Sequence, residues 1–187
     1  MSAPPDPVKE AREYQQFILS LLGDDDPAEV QAGTPAALRQ LIRDAGDRLR
    51  LRPGSSEWSV MEAIGHIVDG EVVSSARYRW ILGQDEPRLA GYDQDQWQDR
   101  LRHNEDDPEE LLSLFEALRA ANLALWSRSS EADRARMGIH EERGPESYEF
   151  TFRLIAGHDR NHLEQARATL GMLGSESPED RSDSGSW

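Results

Sequence analysis

The sequence predicts an all-α bundle, four long helices after a shorter N-terminal one, in a single domain. Three observations point there. Apolar residues recur at spacings of three and four along several stretches. Helix starts are marked by a cap residue followed by proline or by a capping box. No stretch reads as a strand of any length, and no segment repeats. With 187 residues, one domain is the expected count, and the predicted body is 7–173, flanked by disordered ends at 1–6 and from Gly174 on, where SESPEDRSDSGSW is poor in apolar residues.

Taken in order, Asp6-Pro7 and Thr34-Pro35 each pair a cap with a proline at the first helical position, which predicts helices over roughly 7–22 and 34–51. GDDDPAEVQAG between them reads as an acidic connection. Ser59 with Glu62 three residues on forms a capping box, Trp58 is placed to staple the entry, and a helix follows to about Leu82. Its apolar stripe is Val60, Ile64, Ile67, Val68 and Val72. Residues 83–106 read as a long connection with a helical turn near Gln94–Arg100. Asp107-Pro108-Glu109-Glu110 starts the next helix, with Leu111, Leu114, Phe115, Leu118 and Leu125 on one face out to about Ser127. Residues 130–146 read as a polar loop. A last helix over about 147–173 turns Phe152, Ile155, Ala156, Leu163, Ala166 and Leu170 inward.

Composition narrows the function. Acidic residues outnumber basic ones by 36 to 21, for a formal charge of −15, and such a surface repels phosphate backbones and anionic lipids. Nucleic acid and membrane are therefore not expected partners. No apolar stretch is long enough for a span and no leader pattern opens the chain, so a soluble, cytoplasmic protein is expected. Cysteine is absent, which excludes thiolate metal sites and cysteine nucleophiles.

The chemistry-bearing residues are histidines. His158 and His162 lie one turn apart on the last helix, beside Ile155 and Ala166 at the margin of the buried stripe. His66 lies at the edge of the third helix's stripe. Three imidazoles converging inside a bundle make a tridentate nitrogen site for a divalent transition metal such as zinc or nickel, with iron and manganese as further candidates. Three protein ligands leave a position open, as at catalytic rather than structural sites.

Four segments carry a resemblance. WSVMEAIGHIVDGE, PRLAGYDQDQW, GIHEERG and GHDRNHLEQ, in that order between about Tyr14 and Leu173, resemble the recurring motifs of the DinB/YfiT-like superfamily. The resemblance implies a four-helix bundle with down-up-up-down topology, a metal held by His66, His158 and His162, and a homodimer. Its members of known activity are largely metal-dependent transferases or isomerases using low-molecular-weight thiols such as bacillithiol and mycothiol, and others carry only a hydrolase label.

The expected function is accordingly transfer of a small thiol, as cosubstrate, to an electrophilic small molecule, the metal stabilising the thiolate. The alternatives are hydrolysis by a metal-bound water and a non-catalytic metal-binding stress-response module. His140, just before the metal-bearing helix, is a candidate acid, base or substrate contact, and Arg143 a candidate clamp for a carboxylate or for the thiol's anionic groups. Asn122, on an apolar face, must find a partner if buried, whether a ligand histidine, a bound water or a backbone carbonyl. Asp159 points away from His158 and reads as a surface or interhelix residue. Glu71, toward an apolar face, calls for an arginine partner or acts as a general base. His103, among charged residues, reads as exposed, and Tyr92 and Trp97 read as pinning the long connection to the bundle or lining a pocket mouth.

Overall fold

The computed structural model of the protein describes Pro5 and residues 10–175. Helix α1 covers Ala11–Leu22; the expected cap at Asp6-Pro7 lies outside the described residues, as does the tail beyond Ser175. Helix α2 spans Pro27–Ala45, so its expected start at Thr34-Pro35 is corrected. Asp26 and Pro27 form the cap actually used: the Asp26 carboxylate accepts from the amides of Ala28 and Glu29. Pro35 therefore sits inside α2, where it cannot supply the N–H that the Gln31 carbonyl would take. That carbonyl accepts instead from Arg119 Nη1 at 2.9 Å. The helix gives way at Gly46–Arg48 to a 3₁₀ turn, short of the expected 51.

Helix α3 (Val60–Gly83) begins with the expected capping box, Ser59 and Glu62 each bonding the other's backbone N–H. The long connection holds β1 (Arg88–Leu89) and α4 (Gln94–Leu101). Helix α5 (Pro108–Arg128) starts on Asp107 as expected. The segment read as a polar loop is ordered into α6 (Glu131–Arg134), β2 (Met137–His140) and β3 (Gly144–Ser147). β2 and β3 form an antiparallel hairpin, and β1 adds parallel to β2. Strands of two to four residues are too short for alternation to show in sequence. Helix α7 runs from Tyr148 to Ser175, so Gly174, expected to open a tail, lies inside the helix.

The four long helices form the bundle. α7 packs against α2 and α3, and α5 against the same two, while α1 lies along α7. α1 comes so close that a Cβ on Gly157 would stand 2.1 Å from the Ile18 carbonyl oxygen. Two apolar clusters fill the interior. One joins Leu38, Leu41, Ile64, Ile67, Phe115 and Leu163; the other joins Tyr78, Ile81, Trp126, Tyr148, Phe152 and Ile155. Between the two clusters the buried residues of α3, α5 and α7 are mostly polar: Glu71, Ser74, Ser75 and Arg77, then Arg119 and Asn122, then Asp159 and His162. Chemistry is thus confined to a belt across the middle of the bundle.

Candidate metal centre

His66, on α3, is buried at the edge of the belt beside Ile64 and Ile67, and α7 presents His158 and His162 to it. The three rings each offer a nitrogen, all within 4.8 Å of one another, and Nε2 of His158 lies 3.0 Å from Nε2 of His66. Helical spacing explains the pair on α7, one turn apart. Burial and the neighbouring histidines hold His66 well below the ordinary imidazole range, and burial with His158 pushes His162 down to about 3. Both are neutral at pH 7 and keep a lone pair for a cation. His162 Nδ1 lies 2.8 Å from the Gln165 amide oxygen. That oxygen only accepts, so Nδ1 carries the proton and Nε2 the lone pair. Nε2 is buried without a hydrogen-bond partner. Trp58 covers the site, its ring stacked on His162 at 6.1 Å and tilted against His66 at 5.2 Å. A side chain at position 70 would crowd the His158 ring, since a Cβ there would stand 3.1 Å from Cε1. An unpartnered buried imidazole nitrogen beside two more is a donor set that fits a borderline divalent ion such as zinc or nickel.

His66 and His158 line a cavity of about 100 Å³, together with Tyr14, Ser74, Arg77, Tyr92, Gln94, His140 and Arg143. Of the residues expected at the site from the sequence, His140 and Arg143 therefore reach it, both from the β2–β3 hairpin. His140 is buried, its Nε2 3.1 Å from Arg77 Nη2 and its Nδ1 facing the Glu142 amide at 3.2 Å. Burial, with Arg143 and Arg77 nearby, holds it down at about 4. Arg143 is paired with the Glu146 carboxylate at 2.5 and 3.0 Å. Tyr92 lines the cavity as well as stacking on Trp97 at 4.5 Å.

Asn122 stands elsewhere. Its amide nitrogen donates to Glu71 Oε1 and Ser75 Oγ and its oxygen accepts from Arg79; none of these bonds reaches His66, His158 or His162. It belongs to a buried network centred on Arg119, which donates to Glu71 at 2.9 Å and to Asp159 at 2.7 Å. Thr34 donates to the same Asp159 oxygen. Asp159 and Glu71 thus hold helices together, as the sequence suggested. His103 is not exposed: it is buried, 2.9 Å from Asp69 and 2.8 Å from Asp106, because the two carboxylates satisfy both ring nitrogens.

Two residues went unremarked in the sequence. Arg77 lies about three turns beyond His66 on the same face of α3, a spacing that could have exposed it. Gln165 ends the GHDRNHLEQ motif, one turn after His162. A larger open groove, about 2040 Å³, runs along α1, α2 and α7 and meets the site at Trp58, Gln94 and His162.

A model of the DinB superfamily matches residues 30–166. The chain belongs to this superfamily. This DinB chain is 28% identical over 131 residues to a protein of Oceanobacillus iheyensis named "Putative metal-dependent hydrolase OB0782", covering 69% of this chain and 75% of that one. Its fold is similar to that of YfiT from Bacillus subtilis, described as a probable metal-dependent hydrolase with an unusual four-helix bundle topology. That match has a TM-score of 0.72 and 19% identity, over 94% of this chain and 95% of the other.

Proposed function

We propose that the protein is a divalent-metal-dependent hydrolase of small molecules, with His66, His158 and His162 holding the ion. The observation that carries this reading is the unpartnered, buried Nε2 of His162 beside the ring nitrogens of two further histidines, His66 and His158, which line a cavity. When bound, a divalent ion supplies a coordinated water of lowered pKa and polarises a substrate carbonyl. Gln165 fixes the tautomer that His162 needs. Trp58 keeps bulk water from the rings. His140 and Arg143 contact the substrate from the hairpin, and Asn122 acts at a distance, holding α3 against α5.

Hydrolysis is preferred to thiol transfer because the similar proteins carry hydrolase names. The test is turnover of an activated ester by protein loaded with zinc or nickel, without thiol. The expected result is metal-dependent hydrolysis that His158→Ala removes. Turnover that appears only when a small thiol is added would replace this reading with thiol transfer, and hydrolysis that persists in His158→Ala would refute it.

A further inference from the structure

The cavity wall away from the histidines has a surplus of hydrogen-bond donors. Arg77 is buried and charged, yet among the described residues no carboxylate lies within ion-pair distance of it. Its Nη2 donates to the Ala90 carbonyl at 2.5 Å and faces His140 Nε2, while its Nε, also buried, has no partner. A buried guanidinium without a counter-charge is costly. His140 sharpens the imbalance. A donor faces each of its ring nitrogens, the Glu142 amide at Nδ1 and Arg77 at Nε2, but a neutral imidazole accepts at one nitrogen only. In either tautomer one ring N–H points at another donor.

Neither carboxylate nearby meets Arg77. Glu146 takes both Arg143 and Gln15. The Glu142 carboxylate also borders the cavity, but it is exposed, lies beside Gly91 and is not within ion-pair distance of Arg77. Tyr14 and Tyr92 add hydroxyls that burial pushes up to about 12, so they remain protonated at neutral pH.

We infer that Arg77 and His140 form a seat for a carboxylate carried by the substrate, one oxygen taking the free Arg77 N–H and the other the His140 Nε2–H. The inference rests on reading this cavity as the substrate site. An anion there supplies the missing counter-charge and removes the donor-to-donor contact. A carboxylate suits it better than a tetrahedral anion because its two oxygens lie in one plane, matching the guanidinium fork. The substrate class is then a small organic acid with its scissile bond toward the histidines.

The test uses metal-free protein at constant ionic strength, so that no ion competes for the anion. Sodium acetate and, separately, inorganic phosphate are titrated while the His140 ring resonances are followed by NMR. The expected result is a saturable acetate-induced shift, at least tenfold weaker in Arg77→Gln and several-fold weaker in Arg77→Lys, which keeps the charge and loses the fork. No saturable shift, tighter binding of phosphate than of acetate, or unchanged acetate binding in either variant would overturn the seat. If Arg77→Gln does not fold, the Arg77→Lys comparison decides by itself. Because no metal is present, a negative result leaves the hydrolase reading standing, and acetate binding would stand even if hydrolysis failed.

Discussion

Gln165 never touches an ion in this arrangement, yet its carbonyl decides which nitrogen of His162 is free to bind one. Partners of this kind cost roughly 10–100-fold in metal affinity when removed. Gln165→Ala is therefore expected to weaken zinc or nickel binding by about that factor in a chelator competition while leaving the helical circular dichroism unchanged. Unchanged affinity would mean that the tautomer is set by something else. The convergence of His66, His158 and His162 was legible in the sequence in part because helix geometry is periodic: His158 and His162 share a face wherever the helix goes. Gln165 lies on that same face, but an amide one turn from a histidine is common and carries no signal until the histidine is known to be buried. Arg77 escaped notice because its significance is a missing partner, and pairing is a property of the folded chain alone.

Helices α2, α3, α5 and α7 are joined across the bundle by one arginine. Arg119 binds Glu71 of α3, Asp159 of α7 and the Gln31 carbonyl that Pro35 leaves free on α2, with its guanidinium over the Phe115 ring at 4.6 Å. Arg119→Met would leave two carboxylates buried without a counter-ion, and breaking such a pair costs about 3–5 kcal/mol. Thermal or urea unfolding should show a loss of that size. A loss near zero would mean that water reaches Glu71 and Asp159. Helices α3, α5 and α7 were foreseen nearly to the residue, since each has a clear start and a sustained apolar stripe. The start of α2 was misread because two Asp/Thr-Pro pairs compete on local chemistry and a tertiary bond decides between them. The hairpin was missed because GIHEERG is polar and its strands are stabilised by β1, some fifty residues earlier in the chain.

Across the whole molecule the histidines give stability a direction with pH. His162 is held at about 3, His140 at about 4, and His66 below its ordinary value. Each takes a proton in the unfolded chain below roughly 6.5 but resists one when folded. Their contribution is complete above that pH and is lost as pH falls towards the folded values. His103 runs the other way. Burial lowers it, but the hydrogen bonds and charges of Asp69 and Asp106 outweigh burial and raise it. Its contribution is complete below its unfolded value and is lost as pH rises through the folded one. The melting temperature of metal-free protein should therefore fall steadily from about pH 6.5 down to pH 4. A flat profile would show that the buried imidazoles are not kept neutral. No helix among the described residues is long and apolar enough to cross a membrane.

The claim that the rest depends on is that this belt holds an ion. Titration of metal-free protein with zinc or nickel, read by calorimetry for wild type and His158→Ala side by side, tests it most directly. The expected result is saturation at one ion per chain in the wild type and loss of that binding in the variant. No saturable binding, or the same binding in both proteins, would contradict it.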